Sequence, residues 1–334
     1  MANYNIDLVV SAAPHIKDKI NTTVIMRDVI IALIPALIGS IFIFGARVLL
    51  VVVVSVVSSV AAEVVGNLIF KKKPSLNDLS ASVTGLLLAM TLPPSSPWWM
   101  VVVGAFSGIL IGKAIFGGIG SNPFNPALVG RAVLMVSWPT QMTTWIVPRM
   151  MSGITTSASQ INAVTSATPL DIVKFQGYGE LIAQFGSKLN LYKALFLGTV
   201  GGSLGETSAL LLLIGGVYLI VRKVIDWKVP VVYILSVFVF SPLFGRDPVF
   251  SILAGGLFLG AFFMATDYST SPITPRGKVF FAIFLGFLTV LIRQYGSYPE
   301  GVMFSILLGN AIVPYFDKLV PHVYGKFPKK EVAK

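Results

Sequence analysis

Two kinds of residue in this sequence carry the means for chemistry. One is a run of hydroxyls, Thr165-Ser166-Ala167-Thr168, inside the longest polar interval of the chain, residues 139–192. The other is a small set of charged and amide side chains in or beside apolar runs: Glu63, Arg131, Glu206, Asp267 and Glu300, with Asn122 and Asn125 each standing before a proline. A threonine hydroxyl is a weak nucleophile that reacts only when a base or a dedicated enzyme activates it. The hydroxyl run, with small residues at 166 and 167, is therefore either a solvated loop or a place where an enzyme working from water attaches a group. The charged residues answer to a different rule. A carboxylate in hydrocarbon costs about 2.5–3.5 kcal/mol, so Glu63, deep in an apolar run, must face the protein interior and serve an ion pair or an ion path. Glu206 and Glu300 fall at predicted first turns, where the helix dipole favours anions; a cap and an ion path are both open to them.

Other chemistries are excluded by what is missing. Without cysteine there is no disulfide, no thiolate iron–sulfur cluster and no Cys-based zinc site. The two histidines, His15 and His322, lie near the chain ends, which disfavours a haem or His-metal centre between helices. Electron chemistry here would need an organic cofactor. The glycine runs Gly117-Gly118-x-Gly120 and Gly198-x-x-Gly201-Gly202-x-x-Gly205 lack the Lys-Ser/Thr of a P-loop and follow no soluble strand. Close helix packing is their expected role.

The elements that must hold these residues are helices. The chain is 55% hydrophobic and only 12% charged, half the usual share of about 25%, as expected for an integral membrane protein in a lipid bilayer. Apolar runs predict helices near residues 29–45, 48–70, 79–92, 98–116, 125–138, 206–221, 229–243, 248–265, 279–293 and 301–316. The run 193–202 reads as a re-entrant turn or interfacial helix. No cleaved leader is expected, since no basic stretch precedes an A-x-A site. Cationic loops stay in the cytoplasm; with both termini inside, 17 Lys and Arg fall in inner segments against 7 in outer ones. That places loop 139–192 outside. It also accounts for the net charge of +11 without nucleic acid, because anionic lipid lies at the inner face. The expected organisation is an all-α, multi-pass membrane protein: an amino-terminal half (1–138), the outer loop (139–192), a carboxy-terminal half (193–317) and a basic cytoplasmic tail (318–334). A weak repeat pairs Met90–Pro97 with Met264–Pro272, and Gly120-Ser121-Asn122-Pro123 with Gly296-Ser297-Tyr298-Pro299. Five spans per half would then turn the halves upside down relative to one another, the plan of many transporters, with a site between them.

Several motifs stand together in order along the chain: Gly117–Ala132 with its two Asn-Pro pairs, Val164-Thr165-Ser166-Ala167-Thr168-Pro169-Leu170, Gly205-Glu206-Thr207-Ser208, Phe263-Met264-Ala265-Thr266-Asp267 and Tyr298–Asn310. The set resembles the D subunits of Rnf ion-translocating ferredoxin:NAD oxidoreductase complexes and, more distantly, the B subunits of sodium-translocating NADH:quinone reductases. The resemblance implies that Thr168 is esterified through its hydroxyl to the phosphate of FMN by a separate flavin transferase, with Thr165 and Ser166 in the recognised motif. Asn162-Ala163 stand where that family usually carries Asp-Gly. Trp138, Trp145, Phe175 and Tyr178 would offer the flavin ring an aromatic bed. The resemblance further implies a second, non-covalent riboflavin or FMN between helices, for which Asn122, Asn125, Arg131 and Asp267 are candidate contacts. It implies a bacterial plasma-membrane complex with G, C, A, E and B subunits, in which electrons pass through flavin while Na⁺ or H⁺ is moved. The alternative from the fold alone is a channel or transporter for a small solute, in which the outer loop is only a linker.

Overall fold

The computed structural model describes residues 21–72, 76–146, 148, 167–206 and 208–318. Thr165, Ser166, the amino-terminal residues and the basic tail beyond Lys318 lie outside the described residues. The predicted helices are present, most with ends within a few residues of the predicted ones. α1 (Thr22–Phe44) starts at Asn21, whose side chain accepts the Val24 N–H, and α2 (Arg47–Ile69) returns after a turn at Gly45. α3 (Ser80–Thr91) ends just before Pro93-Pro94, which supply no N–H to continue it. α4 (Trp98–Ile109) widens into a π-turn at Leu110–Ala114. α5 (Pro126–Ser137) is capped by Asn125, which accepts from Ala127 N and Leu128 N, with Pro126 at the first helical position.

The polar interval is more than a connector. It folds into α6 (Pro169–Phe175), α7 (Tyr178–Phe185) and α8 (Lys188–Leu197). α8 occupies the place of the expected interfacial helix, and starts earlier. Beyond it come α9 (Ala209–Val221), α10 (Lys228–Phe240), α11 (Pro248–Leu253) and α12 (Leu257–Leu259), which opens into a second π-turn at Gly260–Met264. α13 (Pro275–Tyr295) and α14 (Val302–Asp317) complete the order. The apolar run 248–265 reads as one helix in sequence but is broken at Ala254–Gly256, where Gly255 takes φ +74°.

The two sets of helices pack alike. α2 lies on α3 and α4, and α4 on α5; α10 likewise lies on α11, α12 and α13, and α13 on α14. α1 and α9 cross where the sets meet. Small residues permit these crossings. A Cβ on Gly215 would sit 2.1 Å from the Ala32 carbonyl oxygen, and one on Gly130 would sit 2.5 Å from that of Gly104. Gly118 and Gly120 do something else: both have positive φ and no neighbour within 4 Å of a built Cβ. They are turn residues between α4 and α5 rather than packing surfaces, which corrects the expectation for that run.

The exterior is apolar. Phe42, Leu49, Leu50, Val53, Val57, Leu68, Leu235 and Val239 are all exposed, a surface that water would not tolerate and lipid solvates. Among the described residues, α1, α2 and α13 are long and apolar enough to cross a membrane, and six further apolar helices are shorter. The molecule is an all-helical membrane protein.

Replacing Gly215 by alanine should force α1 and α9 apart at a backbone contact and cost about 1–3 kcal/mol. Thermal unfolding in detergent should show a clear drop in midpoint for Gly215→Ala. Gly179→Ala, at a position in α7 with nothing within 4 Å, should leave it unchanged.

Candidate functional site

Thr168 is the N-cap of α6. Its Oγ1 accepts the Asp171 N–H at 3.1 Å and donates to Asp171 Oδ2 at 2.7 Å, while Thr168 N donates to the same oxygen at 3.0 Å. Lys174, one turn on, donates to the carbonyls of Gly296 and Tyr298 and so ties α6 to the turn between α13 and α14. Tyr178 and Tyr192 both donate to Asp247 Oδ2, at 3.2 and 2.7 Å, fastening α7 and α8 to the cap of α11. Burial opposes ionisation of Asp247. The Phe250 N–H and the two tyrosine hydroxyls outweigh it and hold the carboxyl below its ordinary range.

Docked in this way, Thr168 lines a small cavity of about 40 Å³ together with Arg131, Met135, Met142, Trp145, Glu206 and Glu300. Arg131 projects from α5 and is 5% exposed. Its Nη1 lies 3.4 Å from Glu206 Oε1, and its Nη2 donates to Glu300 Oε2. Neither glutamate caps a helix. Ser208 and Gly301 occupy those positions, so the cap expectation is overturned in favour of the ion pair: a guanidinium out of water draws both carboxylates to itself. Gly256 makes room, since a Cβ there would lie 2.9 Å from Glu300 Oε1 and 3.1 Å from Glu206 Oε1. Arg293, 1% exposed, donates to the Ser251 and Ala254 carbonyls at 2.6 and 2.8 Å, satisfying acceptors freed by the helix break.

Of the four aromatic residues expected around Thr168, two are there. Trp145 and Phe175 line an outer groove with Ala167 and Asp171, and buried Trp145 Nε1 finds no acceptor among the described residues. Trp138 instead meets Trp99 edge-on at 5.2 Å, and Tyr178 meets Phe250 at 5.6 Å. Both rings are spent on helix packing.

A second cavity, of about 90 Å³, lies among α1, α3, α9, the Asn122–Pro126 segment and the second π-turn. It gathers Asn122, Asn125 and Asp267 from the sequence-derived set and adds Lys113, Thr266 and Phe263. Arg131 belongs to the first cavity and not to this one. Asn125 Nδ2 donates to the Met264 carbonyl at 3.4 Å, at the frayed end of the π-turn. Asn310, with its amide turned to satisfy both ends, donates to the Thr270 carbonyl at 3.0 Å and accepts the Asn125 N–H at 3.2 Å. Asp267 accepts from Ser269 and Thr270 hydroxyls at 3.2 and 3.3 Å.

Glu63 is buried as expected, and Lys113 Nζ meets its Oε1 at 2.6 Å while also donating to Ser80 Oγ at 2.6 Å. Lys113 and Arg293 enter the sequence reading only as two of the inner and outer cations, and the structure buries both. The signal was available: each lies inside or at the end of an apolar run, 98–116 or 279–293, where a cation needs a partner.

These features define a class: an all-helical membrane protein with largely apolar cavities that hold a few polar side chains, one of them walled by a hydroxyl-bearing helix tip and a buried Arg–Glu–Glu cluster. The chain belongs to the NQR2, RnfD, RnfE family, which it matches over residues 9–325. It is 48% identical to the D subunit of the proton-translocating ferredoxin:NAD(+) oxidoreductase complex of Clostridium ljungdahlii, over 94% of this chain and 95% of that one. It is 44% identical to the D subunit of the Na(+)-translocating ferredoxin:NAD(+) oxidoreductase complex of Acetobacterium woodii, over 98% and 99%. It is 35% identical to the D subunit of the ion-translocating oxidoreductase complex of Haemophilus influenzae, over 96% and 98%. The family expectation formed from the motifs therefore stands.

Arg131→Met should leave two buried carboxylates uncompensated and destabilise the protein by about 3–5 kcal/mol, read as a lower thermal midpoint. The depressed Asp247 carboxyl contributes stability that is present above the unfolded value of about 3.9 and fades as pH falls through the lower folded value. Protection of residues 178–195 against hydrogen exchange, taken relative to the intrinsic rate at each pH, should therefore persist at neutral pH and be lost only in strong acid, whereas Asp247→Asn should reduce it at neutral pH.

Proposed function

We propose that this chain is the D subunit of an ion-translocating ferredoxin:NAD oxidoreductase complex, carrying one FMN covalently on Thr168 and a second, non-covalent flavin in the inner cavity. Near full-length identity to subunits of that name supports the assignment of the complex. The other subunits of such a complex would be its partners. The single observation that carries the flavin reading is the position of Thr168: its hydroxyl stands on the wall of a cavity that also holds a buried guanidinium and an indole N–H with no described acceptor.

The residues present fit the group. Thr168 Oγ1 offers the ester oxygen, and Trp145 and Phe175 offer apolar faces in the adjoining groove. Arg131 offers a cation, held by Glu206 and Glu300 so that it does not swing away. The inner cavity offers Val83, Leu87, Phe262 and Phe263 for a ring and Asn122, Asp267 and Lys113 for its polar edge. A bound flavin supplies reversible uptake of electrons. The chain orients it, keeps water from it and places fixed charge beside it.

The packing supports two inverted five-helix halves, with α11 and α12 together as the third span of the second half. The paired motifs fall at matching places. Met90 and Met264 each close the third span of a half, and each carbonyl is met from elsewhere in the fold, by Gly205 N at 2.6 Å and by Asn125 Nδ2 at 3.4 Å. Both Gly-Ser-x-Pro turns join the fourth span to the fifth. In this arrangement the termini face the cytoplasm and α6–α8 cover the outer side.

Purified with its transferase and run on a denaturing gel, the chain should show flavin fluorescence, and Thr168→Ala should abolish it. Acid extraction should still release one flavin from both proteins. Fluorescence that persists in Thr168→Ala places the attachment elsewhere, and a colourless wild-type chain from intact complex removes the flavin reading altogether.

A further inference from the structure

We propose that Asp171 is the proton acceptor for esterification of Thr168, an inference that rests on the reading of Thr168 as the attachment site. A capping box requires only two hydrogen bonds: the hydroxyl oxygen accepts the N3 N–H, and the N3 side chain accepts the N-cap N–H. Both are present, at 3.1 and 3.0 Å. The third bond is extra. Thr168 Oγ1 donates its proton to Asp171 Oδ2 at 2.7 Å, so the one hydrogen that must leave before the oxygen can form an ester already points at a carboxylate. The oxygen's remaining lone pair is free for attack.

The surroundings hold this pair in place and give the proton an exit. Pro169 and Leu170, between the two residues, are buried, which fixes the first turn of α6. Asp171 lines both the inner side of the Thr168 cavity and the outer groove. A proton taken from the hydroxyl can therefore pass to water without crossing the protein. The charged groups near Asp171 are Lys174 on its own helix and, sharing its cavity, Arg131 from α5, Glu206 from the segment before α9 and Glu300 from the segment before α14. Lys174 is directed to backbone carbonyls, and Arg131 is engaged by the two glutamates. Neither is hydrogen-bonded to Asp171.

The step balances without any redox change. Displacement at phosphorus needs a leaving group, which a phosphate monoester lacks and a flavin pyrophosphate dinucleotide supplies. Thr168 Oγ1 attacks the phosphorus on the flavin side, the Oγ1–P bond forms, and the bond from that phosphorus to the bridging oxygen breaks. The electron pair leaves with adenosine monophosphate, and the hydroxyl proton moves to Asp171 Oδ2. The transferase holds the dinucleotide; the acceptor chain itself provides the base. Carboxylate bases in such positions contribute on the order of 10²-fold or more to rate.

The test uses whole complex expressed without transferase, then mixed with purified transferase and flavin adenine dinucleotide, with in-gel fluorescence followed over time. Asp171→Asn keeps an acceptor for the Thr168 N–H but takes up no proton. Labelling should slow on the order of 10²-fold and should speed up with rising pH across a range where wild type is flat, because solvent base must then do the work. Equal rates in the two proteins overturn the proposal. So does a slow variant whose pH profile runs parallel to that of wild type, since a purely structural cap would give that. Should Asp171→Asn fail to accumulate, Asp171→Ser, which still caps, is read by the same two criteria. Wild type that takes no label, or Thr168→Ala that keeps it, overturns the attachment reading and this inference with it.

Discussion

A single buried guanidinium organises the part of this molecule around Thr168. Arg131 stands on α5, while its two carboxylates come from the segments that precede α9 and α14. Three stretches of chain separated by 75 and 169 residues therefore meet at one point. Removing three charges from water is costly, and the arrangement holds only because each finds an opposite charge at contact distance. Everything nearby accommodates it. At Gly256 a side chain would collide with both carboxylates, and the break in the chain around it is itself satisfied by Arg293. The interrupted helix and the ion cluster are thus one construction.

That construction gives Thr168 its setting. α6 sits at the surface, yet its N-cap is 8% exposed, because Lys174 and the Tyr178–Asp247–Tyr192 contacts press α6–α8 down onto the helices beneath. A hydroxyl in a solvated loop would be one among many. A hydroxyl pinned at a helix tip, beside a carboxylate and above a charged cavity, is distinct in chemistry from its neighbours. The inner cavity is built from the same vocabulary by other means: a frayed π-turn, a capping asparagine and a lysine bound to Glu63 and Ser80. In both places the backbone leaves regular geometry only where polar side chains or other backbone groups take up its unpaired groups, as a medium without water demands.

Much of this architecture was legible from residue order. Apolar runs of the right length predict helices, and Pro93-Pro94, Pro123, Pro126 and Pro139 mark several of the ends, because a missing N–H acts locally. The interior orientation of Glu63 followed from solvation cost alone. The partner did not: Lys113 lies 50 residues away, and a lysine near the end of an apolar run reads equally well as a loop cation. Glu206 and Glu300 looked like caps for the same reason. A first-turn position is a local property, whereas the pull of Arg131 exists only once the chain has folded. The aromatic residues divide likewise, Trp145 and Phe175 reaching the groove and Trp138 and Tyr178 being taken by Trp99 and Phe250.

The amino-acid sequence by itself determined most of the apolar helices, their lipid-facing composition, the family, and the chemical kind of each polar residue, since all of these depend on hydropathy, backbone covalent geometry and motif order along the chain; the break at Ala254–Gly256 and the helices α6–α8 were not among them. Only the tertiary structure decided which charges meet, and that Arg131 belongs to the cavity of Thr168 while Asn122, Asn125 and Asp267 line the other. Those outcomes depend on packing. An ion pair or a cavity wall is a relation between distant segments, and its energy is realised only when close helix contacts have excluded the water that would otherwise have separated them.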